Sequence, residues 1–462
     1  MNRNLSVWIT YFMYGIILVS VNLSSKVHLG NTLIYYISAF SLIGISLYCF
    51  IKDKRFQSWS YIFPILYIIW AIIGIFRGIF EIKSYFVFNQ YIHGIIDVLV
   101  PISVFLFASP WSVLNVFQKV NIFMIVFAFG SFGWNFTAEA YVFCLTPFYY
   151  LYSCFLFKIP RKWRFLTICA LIFVFLALDN KSGIIKSLVS FGALFVFLLP
   201  DRIRNIGVHI GHWFFYIGAF TLLYLGFSGK YNVFSGNSAI AETPIKVITY
   251  PHYESTEKSS RIDTRTFIYE EMIFSAIEHN HFLIGRTPAR GYSSPSFAKD
   301  VAENGSIPSG IDFDERHGSE VANLNTFNWL GLIGLVLLTL VFIQGTSLAL
   351  YTSNNIYLKC IAMGVAFQWA YGWVENVNQF LMLDLMIYIM LALCYSPYFR
   401  KMSNIEFELW FKSIFTKPGE ITQYQRYKAI KFLIMLKLKL AHNKKMKDLP
   451  IIELNKNKQL PQ

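Results

Sequence analysis

Apolar runs recur along this chain at close to the length a helix needs to cross a bilayer, about 20 residues. We read them as spans at Val7–Val21, Leu33–Ile51, Tyr61–Phe76, Tyr91–Ala108, Val120–Trp134 and Ala140–Phe157. Further runs cover Phe165–Leu178, Ile184–Leu199, Trp213–Phe227, Leu324–Leu350, Leu358–Val374 and Phe380–Tyr395. Several fall short of a full crossing, so their ends must extend into flanking polar residues. The first run lacks a small-residue cleavage site and reads as a retained span. The expectation is an all-α polytopic membrane protein with about 12 transmembrane helices. Only 14% of residues are charged, against about 25% in a typical soluble domain.

The formal charge of +14 does not point to a nucleic-acid partner. From Arg400 onward there are 14 Lys+Arg against 5 Asp+Glu, and a basic tail after a last span is what the positive-inside rule expects. Alternate short connections carry Lys52, Lys54 and Arg55, then Lys119, then Lys158, Arg161, Lys162 and Arg164, then Arg202 and Arg204, then Lys359. The opposite connections carry fewer bases: Lys26, Arg77, Lys83, Lys181 and Lys186. This asymmetry predicts both termini in the cytoplasm and the segment after the ninth span outside.

That segment divides the chain: residues 1–228 hold spans 1–9, 229–322 a large extracytoplasmic loop, 323–397 spans 10–12, and 398–462 a basic cytoplasmic tail. Loops beyond about 15 residues are usually functional or disordered. Within this one, Thr264–His279 reads as a helix with Asp263 or Thr264 as its cap. Phe267, Phe274 and Ile277 share a stripe on it, with Arg261 and Arg265 directed roughly the other way. Gly285–Gly310 reads as irregular.

The loop holds 9 Lys+Arg against 13 Asp+Glu, and five of its bases are arginines: Arg261, Arg265, Arg286, Arg290 and Arg316. A guanidinium fork matches phosphate oxygens and stays charged at any working pH, so the group is able to hold a lipid diphosphate at the membrane surface. The plainer reading pairs these arginines with Glu270, Glu271, Asp312 and Glu315. His317, just before the tenth span, is able to accept a proton from an attacking hydroxyl, and Glu320 is a second candidate base. Polar groups at membrane depth are costly and tend to be functional. Asp97 lies inside the fourth span with His93 one turn before it, and Asn135, Glu139, Glu375, Asn376, Asn378 and Gln379 lie between spans on the loop's side. Helix–helix hydrogen bonding is the competing explanation. The six cysteines avoid the loop and form no metal-ligand pattern, so neither a structural disulfide there nor a metal or other cofactor is expected.

Taken together, these features resemble the O-antigen polymerase and O-antigen ligase superfamily of bacterial membrane glycosyltransferases. In that family an arginine opens a loop helix and an aliphatic residue and glycine follow about 20 residues later; Arg265 and Phe282-Leu283-Ile284-Gly285 fit. A histidine then precedes a span beginning Gly-x-x-Gly, as His317 precedes Gly331-Leu332-Ile333-Gly334. Asn135 before the sixth span and Glu375 after the penultimate one match the family's polar positions. Where the family has a Ser-x-Ser-Arg-like element before the eighth span, this chain reads Asp179-Asn180-Lys181-Ser182, which departs from the pattern and offers Lys181 as its one basic residue. Ligases set the histidine 11 residues before the first glycine, a position held here by Glu320, and this mismatch favours polymerase over ligase.

The resemblance implies polymerisation of a surface polysaccharide, O-antigen or capsule, in the bacterial inner membrane with the large loop periplasmic. The donor would be a polyprenyl-diphosphate-linked oligosaccharide and the acceptor a second lipid-linked repeat unit. His317, Glu320 and Arg265 would be catalytic. Arg261, Arg286, Arg290, Arg316, Lys181, Asn135 and Glu375 would bind substrate. No cofactor is implied; membrane lipids, a chain-length regulator and a flippase are the expected partners. The alternatives are a ligase acting on a lipid A core to complete lipopolysaccharide, or a lipid-linked oligosaccharide flippase. A flippase would usually lack so long an external loop and would show halves of similar length.

Overall fold

The computed structural model describes residues 3–22, 32–107, 109–130, 150–176, 181–228, 230–231, 264–295, 315–376, 382–417 and 420–447. These residues are almost entirely helical, with a single two-stranded sheet among them. The first helices are α1 (Arg3–Asn22), α2 (Thr32–Lys52), α3 (Ile62–Ile79), α4 (Tyr85–Leu99) and α5 (Pro110–Gly130). After helical residues 150–154 come α6 (Arg161–Leu176), α7 (Lys181–Leu198) and α8 (Asp201–Phe227). The loop segment contributes α9 (Thr264–Glu278), β1 (Tyr292–Ser293) and β2 (Glu315–Arg316). Then follow α10 (Ala322–Thr352), α11 (Ile356–Tyr371), α12 (Met382–Tyr395), α13 (Pro397–Lys401), α14 (Asn404–Ser413) and α15 (Gln423–Lys447).

Among the described residues, five helices are long and apolar enough to cross a membrane: Leu33–Lys52, Trp59–Ile79, Tyr85–Phe105, Asp201–Phe227 and Ala322–Thr352. Three shorter apolar helices cover Leu5–Ile17, Leu188–Leu198 and Asp384–Tyr395. The last is the axis of the bundle: every side chain from Asp384 to Tyr395 is buried, enclosed by α1, α10, α11 and a 3-10 turn at Val100–Phe105. That turn exists because Pro101 lacks the amide hydrogen that would continue α4. On the periphery, Phe76, Ile206, Ile210 and Phe214 are exposed, an apolar surface suited to lipid tails rather than water.

Several boundaries differ from the sequence reading for local reasons. The Ser84 side chain accepts from the Val87 amide and starts α4 six residues early. Helix α5 begins at Pro110, so Lys119 lies inside a helix rather than in a connection; its carbonyl accepts from the Tyr14 hydroxyl at 2.9 Å. Lys181 and Lys186 likewise belong to α7.

The tail is not a free basic extension. A capping box between Ser403 and Glu406 opens α14, and Phe407, Trp410 and Phe411 are fully buried. Phe411 stacks on Phe155 with centroids 3.9 Å apart. The Asn355 amide, which caps α11, also donates to the Phe399 and Met402 carbonyls at 3.0 and 3.1 Å. Residues 397–413 are therefore part of the packed bundle, and the strongly basic character begins beyond them.

Candidate functional site

The loop's helix matches expectation closely, ending at Glu278, but its buried face is a different one. Ile268, Tyr269, Met272 and Ala276 pack inward while Ile277 is exposed. The Phe267–Phe274–Ile277 stripe is not the core face because this helix also buries polar groups with local partners. The Glu271 carboxylate accepts from the Ser294 hydroxyl at 2.6 Å, and the Ser275 hydroxyl accepts from the Ser293 amide at 3.0 Å. Arg265 precedes this buried face by one turn and is directed with it.

The stretch that follows docks onto a break in α10. Gly331 leaves the helical conformation with φ +69° and ψ −172°, which orphans the surrounding backbone groups. The loop satisfies them. The Arg286 and Thr287 amides donate to the carbonyls of Asn328 and Trp329 at 2.7 and 3.1 Å, and the Leu332 and Ile333 amides donate back to Phe282 and Leu283 at 2.9 and 3.2 Å. From α3, the Trp70 indole donates to Leu330 at 2.8 Å, and Arg77 donates to Ile284 and Gly285 at 2.8 and 3.0 Å. On the far side, Gly94 of α4 lets Pro288 approach: a Cβ there would stand 2.4 Å from the Pro288 carbonyl oxygen. His93 and Asp97, flanking Gly94, are thereby brought against the loop.

The result is a polar cavity of about 570 Å³. Helix α4 supplies Gln90, His93 and Asp97, and α9 supplies Arg265. The segment entering α10 supplies Arg316, His317, Ser319 and Glu320, α10 itself Asn325 and Trp329, and the turn after α11 Glu375 and Asn376. Strand alternation sorts the two residues of β2. Glu315 turns inward and is buried, while Arg316 faces the cavity, 3.9 Å from Glu320.

The five loop arginines separate into distinct roles. Arg265 and Arg316 line the cavity. Arg290 does not: its guanidinium grips the buried Glu315 carboxylate, Nε to Oε1 at 2.8 Å and Nη2 to Oε2 at 2.8 Å. Arg286 donates to the Gly291 carbonyl at 2.9 Å, shaping the turn instead of facing the cavity. Arg290 is thus paired with Glu315, one of the carboxylates of the plainer reading, and neither it nor Arg286 is among the residues lining the cavity. Burial alone would raise the Glu315 carboxyl, but the Arg290 hydrogen bonds, the Arg286 charge and the Gly291 amide together hold it below the usual range. Arg261 and Asn135 lie outside the described residues, and Lys181 opens α7.

His317 and Glu320 are not neighbours on an outward extension of the tenth span, because α10 starts only at Ala322. They lie on an extended turn held by Asn325, whose side chain accepts from the Ser319 amide at 2.7 Å and donates to the Ser319 carbonyl at 2.9 Å. The His317 Nε2 lies 2.9 Å from the Pro288 carbonyl, and its ring centroid 5.6 Å from that of Trp329. A carbonyl only accepts, so Nε2 carries the hydrogen and Nδ1 keeps the lone pair. Burial lowers the imidazole to about 4, partly offset by the bond to Pro288. The ring is neutral across the physiological range.

Glu375 reaches the cavity held by an ion pair to Lys186, whose side chain is fully buried and lies 4.9 Å from the Tyr371 ring. The sequence reading placed Lys186 only as a charge in a connection, and it did not single out Gln90, Asn325 or Trp329. The signal for Asn325 was present: three amides, Asn323, Asn325 and Asn328, crowd the start of an otherwise apolar run, and all three are buried.

No protein-family model and no curated protein sequence matches this chain. The site therefore stands on its own chemistry. It combines two guanidinium forks, an imidazole held neutral with one lone pair, and the carboxyl groups of Asp97, Glu320 and Glu375 around a space large enough for a diphosphate and part of a sugar.

Proposed function

We propose that this protein is a surface-polysaccharide polymerase, transferring a glycan from polyprenyl diphosphate to a lipid-linked repeat unit. The observation that carries the reading is the convergence of Arg265 on the same cavity as Arg316, His317 and Glu320, although it precedes that group by about 50 residues. In this reading the acceptor hydroxyl attacks the donor's anomeric carbon and its proton passes to His317 Nδ1. The bond from that carbon to the diphosphate oxygen breaks, and its electron pair leaves on polyprenyl diphosphate. Arg265 and Arg316 stabilise that charge as it develops, the kind of preorganised electrostatic help that dominates such reactions. Glu320, opposite Arg316, orients the fork or takes the proton in place of His317. The membrane placement that goes with this chemistry has both termini cytoplasmic, about 12 crossings and the cavity at the outer leaflet of the bacterial inner membrane.

The test is complementation of a strain lacking the gene, scoring the ladder of repeat lengths on a gel. His317→Ala is expected to abolish the ladder at normal protein levels, since removing a general base costs about 10²–10⁴ in rate. Loss with Glu320→Ala alone moves the base to Glu320, and an intact ladder in both variants removes this turn from the mechanism. Arg265→Ala with wild-type chain length and yield would overturn the diphosphate reading.

A further inference from the structure

A second cavity lies at the opposite end of α2 from the site just described. It has a volume of about 550 Å³ and is enclosed by α1, the end of α2, the 3-10 turns at Lys54–Gln57 and Trp59–Tyr61 that follow it, the turn at Val100–Phe105, and α13. At the other end of α2, Tyr36 bonds to His93 at 2.9 Å; here Tyr48, Cys49 and Lys52 line the wall. The 12 to 16 residues from Tyr36 to this wall, at 1.5 Å rise each, put about 18–24 Å between the two places, so they are separate sites.

The second cavity has the build of an amphiphile site. Its floor is apolar and aromatic, formed by the buried Phe56, Tyr61 and Phe105. Its mouth carries charge: Lys52 donates to the Tyr48 hydroxyl at 2.8 Å, and Arg55 bonds Asp53 through Nε at 2.6 Å with its guanidinium 4.7 Å from the Tyr398 ring centroid. Lys52 and Arg55 against Asp53 leave the lining one positive charge. Trp8 is 57% exposed at the rim and Trp59, just beyond it, 85% exposed. Such amphipathic rings settle at the headgroup level of a bilayer. An aromatic floor, a mouth at headgroup depth and a net charge of +1 together fit one ligand chemistry.

We propose that this cavity binds a single anionic phospholipid, its phosphodiester against Lys52 and an acyl chain over Phe56 and Phe105. The lone excess cation suits a phosphate bearing one negative charge, whereas a diphosphate would leave charge uncompensated in a partly buried site. The assignment does not depend on the polymerase reading, and a catalytically dead protein should bind the lipid equally well.

Cys49 reports on occupancy because it lines the wall. In full-length protein with the other five cysteines changed to serine, detergent-solubilised, phosphatidylglycerol is expected to slow maleimide alkylation of Cys49. At ten times its Kd the slowing should be about tenfold, since the site is then open about a tenth of the time. Phosphatidylcholine at the same concentration should slow it much less. Lys52→Gln should abolish the difference between the two lipids and Lys52→Arg should keep it. Thermal unfolding of the protein with native cysteines, with each lipid added, gives the same comparison independently of the labelling background. Equal effects of the two phospholipids in both measurements would overturn the proposal. So would protection by oleate as strong as that by phosphatidylglycerol, which would assign the cavity to a fatty acid.

Discussion

Gly285 and Gly331 meet backbone to backbone: a Cβ on Gly285 would stand 2.4 Å from the Gly331 amide nitrogen, and a Cβ on Gly331 2.3 Å from the Leu283 carbonyl oxygen. Both residues hold positive φ, +74° and +69°. The two glycine signatures of the sequence, one in the loop and one opening the tenth span, are thus the two halves of one junction. That junction sets the position of Arg265 and His317 relative to each other.

Alanine at either glycine should cost at least about 2 kcal/mol, combining the strain of positive φ with a backbone collision. Gly318, where a Cβ would meet nothing within 4 Å, is the control. Thermal unfolding in detergent should place Gly285→Ala and Gly331→Ala well below wild type and Gly318→Ala close to it. Three similar midpoints would mean the junction does not bear on stability.

Arg290 and Arg265 should fail in different ways. Arg290→Ala leaves the buried Glu315 carboxylate without its main partner, a defect worth about 3–5 kcal/mol, and should lower the amount of folded protein. Arg265→Ala should accumulate normally yet make no polymer, and Arg265→Lys should recover little because the fork is lost. Quantifying membrane-inserted protein beside the polymer ladder separates the two. Normal levels of Arg290→Ala would contradict a structural role for that pair.

The pH dependence follows from His317. Its folded-state value, about 4, lies below the value near 6.5 of an unfolded histidine. As pH falls from about 6.5 toward 4 the unfolded chain takes up a proton that the folded site refuses, so stability declines over that window and is unaffected by this group above it. His317→Gln should flatten the decline. Because the ring stays neutral, activity that depends on it should persist at pH 5.5; a steep loss centred near 6.5 would show an ordinary histidine at the site.

Membrane orientation is open to direct labelling. In a background without native cysteines, Glu278→Cys on the exposed side of α9 should react with an impermeant thiol reagent in cells whose outer membrane alone is permeable. Ala429→Cys in α15 should react only after the inner membrane is lysed. The reverse pattern would invert the proposed topology.

The helical class and the Thr264–Glu278 helix were legible because hydrophobic runs and caps are local properties. The division of labour among the arginines was not: Arg290 and Glu315 are brought together only when β1 and β2 pair, Tyr292 opposite Arg316. Nothing in their spacing distinguishes that pair from Arg316, which neighbours Glu315 in the chain yet faces the cavity. Lys186 was hidden for the opposite reason. A lysine near the edge of an apolar run reads as an interfacial charge, and only the packing of α7 beside the end of α11 makes it the holder of Glu375. Asn325 was masked by averaging, since three amides in a strongly apolar window barely lower its hydropathy.

The Trp410 indole donates to the Pro110 carbonyl at 3.0 Å, joining residues 300 positions apart. Helix α5 is made early by the ribosome, but the side chains that cover its start emerge only 300 residues later. During biosynthesis the early helices must therefore wait with that surface open, and α14 closes it as a late clasp. A nascent chain halted before Asn404 would carry the apolar helices through Tyr395 and still leave the start of α5 without this cover.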